Sequence, residues 1–504
     1  MNDEQGKNSL EEIRKKVEAR AEEEARQFPT KEDDNGITSK FIRQCLYANE
    51  LGDGMLYTAI HKDKFLYVNN TDEWLSWAGH HWQRDIQKES LIAVEDVAKI
   101  YANESLHMNG SEGKETINYL DKRVRKLRGV NGRNNCLTFA HTHNNNMSIL
   151  GDEIDVQPWL FPCKNGVIDL RTGGLRSGKA EDFLLRACPT EWNGIDAPAP
   201  LWCKFLMQVF EEKQQLYDYL QRLLGYGLLG MNIEHIFPIL TGQGRNGKGT
   251  IIETLMSVLG SLAGPIQATM LLDQGAVKNS SGPSPDIMSL KGLRLAFASE
   301  TDEGRRISPS RVKWLTGGDT LVGRYPHDKH ETTFTPTHTL FLLTNHIPHA
   351  PSDDFAFWER AHIVPFNLSF VDRDPRAENE RPMDKSIPEK LKAEAPGILA
   401  WLVKGCLLWQ ERGLDPPMLV KETTAEKQRE EDLIADFIDQ CCEPGENYKV
   451  LATELFDSYK DWYANNVSKK GIPSQKRFGN AMTKKRFKKD KKPGVYQYYG
   501  LQLI

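Results

Sequence analysis

The stretch Ile236-Phe237-Pro238-Ile239-Leu240-Thr241-Gly242-Gln243-Gly244-Arg245-Asn246-Gly247-Lys248-Gly249-Thr250-Ile251-Ile252 decides the fold. A short apolar run is followed by a glycine-rich loop, and then by apolar residues at helical spacing, Ile251, Ile252, Leu255 and Leu259. Strand, loop and helix in that order are the setting a phosphate-binding loop requires. The glycines let backbone N–H groups turn inward to cradle phosphate oxygens. Lys248 adds a point charge for the β- and γ-phosphates, and the helix N-terminus adds its partial positive charge. The expected ligand is ATP with Mg²⁺, bound by Gly242, Gly244, Asn246, Gly247, Lys248, Gly249 and Thr250. The residue after such a lysine is usually Ser or Thr, whose hydroxyl meets the metal. Here it is Gly249, and Thr250 follows one place later.

Composition narrows the setting. A chain of 504 residues is too long for one ordinary core, and two to four domains are expected. Hydrophobic content of 39% and charged content of 27% are those of a soluble globular protein. The net charge of −5 creates no global field towards nucleic acid, so such attraction must come from local patches. No apolar run reaches membrane-spanning length and the N-terminus is polar, so neither a membrane partner nor a signal peptide is expected, and the location expected is cytoplasmic. The eight cysteines, at 45, 136, 163, 188, 203, 406, 441 and 442, form no Cys-x-x-Cys pair and read as reduced thiols. His141 and His143 have metal-like spacing, but sit in an Asn-rich loop without nearby Cys or carboxylate partners, which argues against a metal there.

Patterning divides the chain into a charged tail and linker (1–36, with a helix opening near Ser9 and running to about Phe28), a mixed α+β domain (37–150), and a hairpin-plus-helices domain (151–232). An ATPase domain (233–412), a linker (413–429) and a basic domain (430–504) follow. In the ATPase domain the runs Leu293–Ala298, Thr339–Leu343 and His362–Phe366 join Ile236–Leu240 as strands of a buried, mostly parallel sheet wrapped by helices, an α/β fold. Between 117 and 136, Lys122, Arg123, Arg125, Lys126, Arg128 and Arg133 form either a nucleic-acid face or a solvated helix face. From Lys469 to Lys492 eleven Lys or Arg face one acid, Asp490, with aromatics interleaved. Helices followed by a β-ribbon with this charge fit a winged-helix DNA-binding module.

Three further positions suit ATP hydrolysis. Glu300 follows the strand run ending at Ala298-Ser299, where a carboxylate can orient and deprotonate the attacking water beside Mg²⁺. Asn345 follows the next strand and can hydrogen-bond the γ-phosphate or that water. Arg360 ends Asp353-Asp354-Phe355-Ala356-Phe357-Trp358-Glu359-Arg360, just before the last strand, where an arginine can reach a neighbouring subunit's γ-phosphate.

This set resembles the superfamily 3 helicase domain of phage and plasmid primase–helicases, an AAA+-like family related to the poxvirus primase–helicase. The loop resembles that family's G-x-G-x-N-G-K-[SG]-T form, in which Gly249 is an accepted variant. Ala298-Ser299-Glu300 resembles its Walker B strand end. Lys313-Trp314-Leu315-Thr316-Gly317-Gly318-Asp319 with Arg324 resembles its B′ motif, and Thr344-Asn345-His346-Ile347-Pro348 its sensor motif. Trp358-Glu359-Arg360 resembles its arginine-finger motif, with Glu359 in place of the usual first arginine. The motif order matches from about residue 45 to the end.

The resemblance implies a homo-oligomeric, hexameric ring that translocates on single-stranded DNA and engages forked DNA in the replication of a phage, plasmid or integrated mobile element. It implies Lys248, Glu300, Asn345 and Arg360 as the catalytic set, Thr250 and Glu300 as the metal contacts through Mg-ATP, and a pore hairpin carrying Lys329, with His327 and His330 as neighbours. The larger relatives carry a primase domain at their N-terminus. Residues 1–150 contain neither a Cys/His zinc cluster nor a convincing pair of strand-borne acids, so no primer synthesis is expected, and a separate primase is a candidate partner. The alternatives are an ATP-regulated origin-binding initiator without unwinding activity and a nucleotide kinase, whose loops also read G-K-G-T.

Overall fold

The computed structural model describes residues 37–108, 113–273, 283–299, 305–326, 331–467, 472–492 and 495–504. The helix expected up to Phe28 lies outside them, as do Glu300, His327, Lys329, His330, Lys469 and Lys470. The chain folds as two units, residues 1–197 with 258–262 and residues 198–257 with 263–504.

In the first unit, helices α1 (Ser39–Tyr47), α2 (Asn49–His61), α3 (Val94–Leu106), α4 (Gly113–Leu127) and α5 (Val130–Thr142) enclose an apolar core. Their amphipathic spacing is visible in α4, which buries Leu120, Val124 and Leu127. Arg123 lies on that same face and donates through Nε to the buried Asp53 Oδ1 at 2.8 Å. A four-stranded sheet is built from β1 (Phe65–Val68), β2 (Glu73–Trp77), β3 (Trp82–Arg84) and β4 (Ser148–Ile149), in the order β3-β2-β1-β4. The glycine-turn hairpin forms as β6 (Gly166–Asp169) and β7 (Gly174–Arg176), extended on its other side by β5 (Leu160–Cys163).

The second unit opens with α6 (Pro200–Val209) and α7 (Gln214–Tyr226). The motif stretch then becomes β8 (Phe237–Thr241), the glycine loop and α8 (Lys248–Leu259). With β9 (Ala263–Gln267), β10 (Leu295–Ser299), β13 (Thr339–Thr344) and β14 (Ala361–Pro365), β8 forms a five-stranded, all-parallel sheet in the order β14-β8-β13-β10-β9. Sheets of this kind are covered on both faces, so their strands read as continuous apolar runs, and all six residues of β13 are buried. Pro238 is tolerated in β8 because it stands at the strand's start, where the ladder to β13 has not begun. Between β10 and β13 lie α9 (Pro309–Thr316) and an antiparallel hairpin, β11 (Leu321–Gly323) and β12 (Thr332–Phe334). A short helix, α10 (Phe355–Trp358), precedes β14, and the parallel pair β15 (Ser369–Val371) and β16 (Glu380–Pro382) follows it.

Beyond α11 (Ala395–Arg412), the stretch 413–429, expected to be a linker, is largely helix α12 (Met418–Glu430). Thr424 Oγ1 accepts from Ile363 N of the edge strand β14 at 3.0 Å, so the helix covers that edge. The last segment runs α13 (Leu433–Cys441), β17 (Cys442–Leu451), α14 (Ala452–Asn466), α15 (Gln475–Lys484), β18 (Lys488–Lys492) and β19 (Val495–Leu503). Its three strands are antiparallel in the order β17-β19-β18, and its helices pack Phe437, Leu455, Tyr459 and Phe478 against Tyr498 and Leu501.

Two histidines withdrawn from water, His338 buried and His362 half-buried, make this unit acid-sensitive. Burial pushes both His338 and His362 down to about 4 from the usual 6.5. Below pH 6.5 the unfolded chain takes up protons there that the folded chain refuses, so stability is full above 6.5 and falls as pH drops towards 4. Chemical denaturation is expected to lose about 2 kcal/mol per histidine between pH 6.5 and pH 5. His338→Leu should lessen that loss.

Candidate functional site

The glycine loop wraps a buried ammonium. Lys248, at the first turn of α8, is only 7% exposed. Its Nζ donates to the carbonyl oxygen of Gly242 and, at 3.4 Å, to that of Thr344. Both partners are neutral, and desolvation brings the amine down to about 8. Among the described residues the charge thus has no counter-ion, and an oxyanion arriving at the helix N-terminus would supply one. Asn246, also buried, braces the loop from within. Its Nδ2 donates to Phe366 O at 3.3 Å, and its Oδ1 accepts from Lys248 N at 3.4 Å. The outer rim is tied down where Phe370 N donates to Arg245 O at 2.7 Å.

The two central glycines of the G-K-G core differ in kind. Gly247 has φ of +90°, and a Cβ there would lie 2.8 Å from Val209 Cγ2. Only glycine fits without strain. At Gly249 a Cβ would meet nothing within 4 Å. The same is true at Gly244, so the space over the loop is open. A nucleotide's phosphates fit such a cradle, which joins backbone donors, an uncompensated cation and room. Thr250, in the first turn of α8 and half-buried, is the hydroxyl available to a metal beside those phosphates.

Sheet register gathers the other expected residues. Thr344 pairs with Thr241, so Asn345, exposed just past β13, lies level with Gly242 at the start of the loop. Ser299, exposed at the end of β10, pairs with Leu343. The loop, Asn345 and the strand end leading to Glu300 therefore share the carboxyl edge of the sheet, where open α/β folds bind ligands. Arg360 does not join them. Ala361 pairs with Phe237 and Pro365 with Thr241, so Arg360 stands off the opposite edge, about 15 Å away along the strands. Its Nη1 donates to Ala356 O at 2.7 Å, while its Nε is buried without a hydrogen-bond partner.

The hairpin position is also defined. Gly323 pairs with Thr332, and the three expected contacts, His327, Lys329 and His330, lie between them in sequence and outside the described residues. Lys313 of α9 holds Asp354 Oδ2 at 3.0 Å, and Asp354 Oδ1 caps α10 by accepting from Phe357 N at 3.0 Å. That link between the B′-like helix and the short helix just before Arg360 is not visible in the motif spacing.

The basic stretches separate. Of the six cations at 117–136, Arg123 is buried on Asp53, Lys126 pairs with Glu50, and Arg128 and Arg133 share Glu95. Four of the six thus hold the helices of their own unit together, which favours the structural alternative. His141 stacks on Tyr67, with ring centroids 3.7 Å apart, and His143 Nε2 meets Thr58 Oγ1 at 2.9 Å. In the C-terminal segment Lys489 lies over Tyr496 and Tyr498, and Lys491 over Tyr496.

Comparison with known proteins gives related sequences. A family model described as "D5 N terminal like" matches residues 54–211. "Putative helicase L207/L206" of Acanthamoeba polyphaga mimivirus is 27% identical over 444 residues, covering 82% of this chain and 45% of that protein. "Putative helicase 022R" of Frog virus 3 is 25% identical over 391 residues, covering 63% of this chain and 40% of that protein. The chain spans less than half the length of either relative. Among solved structures, the apo structure of the NrS-1 C terminal region is similar at a TM-score of 0.46 with 10% identity, over 90% of this chain and 99% of that one.

The loop's two glycines make opposite demands. Gly247→Ala is expected to destabilise the protein by about 1–3 kcal/mol and lower its thermal midpoint, since it forces both strain and a clash. Gly249→Ser should melt with the parent, because its Cβ enters open space.

Proposed function

We propose that this chain, a phage- and virus-type primase–helicase-like protein, is an ATP-dependent DNA helicase of superfamily 3 that works as a ring, a hexamer by resemblance. One observation carries the reading. The phosphate cradle with Asn345 and the approach to Glu300 occupies one edge of the parallel sheet, while Arg360 stands off the other. A single subunit then holds ATP with its own Arg360 far from the γ-phosphate, and a neighbour in a ring provides that arginine.

Each residue has a part. The loop's N–H groups and Lys248 hold the β- and γ-phosphates. Glu300 accepts a proton from the attacking water, and Asn345 orients that water or the γ-phosphate. Arg360 of the adjacent subunit stabilises the charge of the transition state, an effect of about 10³–10⁵ in rate for such fingers. Mg²⁺, when bound near Thr250 and Glu300, would neutralise phosphate charge. The β11–β12 hairpin, with Lys329 between His327 and His330, contacts single-stranded DNA in the pore. The order helix, strand, two helices and two strands at the C-terminus supports a winged-helix-like DNA-binding domain there. Primer synthesis is no part of the proposal.

Lys248→Ala and Glu300→Gln should each abolish hydrolysis, with Glu300→Gln still binding ATP. Arg360→Ala should be inactive alone. Mixed with Lys248→Ala it should regain part of its DNA-stimulated ATPase, because each hybrid interface with an intact loop on one side and an intact arginine on the other is a working site. No recovery in the mixture would refute action in trans. Strand displacement on a forked duplex separates a helicase from an initiator that uses ATP only to assemble.

The low titration point of Lys248 gives a pH signature. Above about pH 8 the empty site loses its positive charge, so nucleotide affinity should fall as pH rises past that point. Lys248→Arg, always charged, should show a flat profile if it still binds. Titrating binding in buffers of different ionisation enthalpy would register the accompanying proton uptake.

A further inference from the structure

We infer that the β18–β19 hairpin, rather than helix α15, is the element with which the C-terminal domain grips the DNA phosphate backbone. The inference rests on the DNA-binding reading above and adds which surface does the work.

The hairpin is built to present charge. β18 reads Lys488-Lys489-Asp490-Lys491-Lys492, and Lys488, Lys489 and Lys491 are exposed. Side chains alternate across a strand, so Lys489 and Lys491 share one face and Asp490 points to the other. Across the ladder Lys489 stands opposite Tyr498 and Lys491 opposite Tyr496. Lys489 Nζ lies 4.9 Å from the Tyr496 ring centroid and 5.3 Å from that of Tyr498, and Lys491 Nζ lies 5.9 Å from that of Tyr496. Ring faces hold the ammoniums in place without neutralising them. Among the described residues no carboxylate is within ion-pair distance of Lys488, Lys489 or Lys491. Two lysines alternating on a strand are roughly 7 Å apart, comparable to the separation of neighbouring phosphates on one nucleic-acid strand. Tyr496 is 49% exposed beside them and offers a ring for a base or sugar.

Helix α15 is differently placed. Lys484 Nζ pairs with Asp353 Oδ2 of the ATPase core at 2.8 Å, and Lys485 at its end pairs with Asp432 at 2.7 Å. Arg477 and Lys484 line a cavity of about 610 Å³ between the helix and the core, together with Asp353 and Glu431. The Asp353 carboxyl is held below its usual range first by Lys484 and also by the charge of Arg477. The cations at the C-terminal end of the helix are therefore already paired with carboxylates of the same chain, whereas those of the hairpin are not.

The test uses the full chain, with a short labelled duplex and a single strand of the same sequence as probes, followed by anisotropy over a range of salt. The double variant Lys489→Ala/Lys491→Ala should bind at least tenfold more weakly at low salt, and its log–log salt slope should drop by about 2 on duplex, the loss of two phosphate contacts. Lys489→Arg/Lys491→Arg should keep both affinity and slope, which excludes a folding defect. Basal ATPase without DNA should be unchanged in both. Tyr496→Ala should weaken the single strand severalfold more than the duplex if a base stacks on it, and both alike if the grip is on sugar and phosphate, either result placing DNA on the hairpin. Wild-type affinity and slope in the alanine double variant, with binding lost instead in Lys476→Ala/Arg477→Ala, would assign the contact to α15 and overturn the inference. A wild-type chain that binds neither probe would instead overturn the DNA-binding reading beneath it.

Discussion

The ammonium of Lys248 is out of water with, among the described residues, two backbone carbonyl oxygens as its hydrogen-bond partners. Burying a charge is costly unless it is paired, and here the pairing is incomplete by design of the loop. One carbonyl belongs to Gly242, the residue leaving β8, and the other to Thr344, the residue ending β13. The lysine therefore fixes the two strand ends to each other as well as awaiting an anion. Gly242 N donates to Thr344 O at 3.4 Å in the same corner. Asn246 ties the loop to Phe366, just beyond β14, so three neighbouring strands converge on one side chain and its brace. The continuous apolar strands of the second unit hold these strand ends together from below.

The same parallel register that gathers the cradle excludes Arg360 from it. In an all-parallel sheet every strand delivers its carboxyl end to one edge and its amino end to the other. A residue just before β14 is bound to lie at the wrong edge for its own loop, whatever its rotamer. Its guanidinium is part-buried, with one nitrogen on Ala356 O and Nε unpaired. Such a group gains from an external acceptor, which is what a neighbouring subunit's phosphate would offer.

Much of this was legible from residues alone, because periodicity reports burial. The runs behind β8, β10, β13 and β14 are apolar throughout, since both faces of the sheet are covered. β9 escaped because Ala263-Gly264-Pro265-Ile266-Gln267 has the composition of a turn, tolerated here only at the sheet's edge. Helix α12 escaped because it buries only Val420 and follows Pro416-Pro417, which reads as a break. Its stability comes from the strand edge it covers. The cations at 117–136 show a deeper limit. Their partners Glu50, Asp53 and Glu95 lie tens of residues away, so no local pattern separates a nucleic-acid face from an internal ion-pair lattice. Within the loop, spacing marked Asn246 as a ligand-side residue, and its hydrogen bonds to Phe366 and Lys248 add a bracing part that spacing does not show.

The segment from Asn345 to Arg360 joins the two edges of the sheet. It leaves β13 beside the phosphate loop and returns to the start of β14 at the far side. Its middle is anchored twice, by Asp353 to Lys484 of α15 and by Asp354 to Lys313 of α9. His349 adds a contact to Glu431 at 3.1 Å, and Arg306 Nη2 donates to Tyr463 Oη at 3.3 Å. A displacement at Asn345 is thus resisted by contacts to the hairpin-bearing layer and to the C-terminal domain together. The exposed pair Asp353–Lys484 is individually weak, about 0–1 kcal/mol, so it holds the segment without locking it.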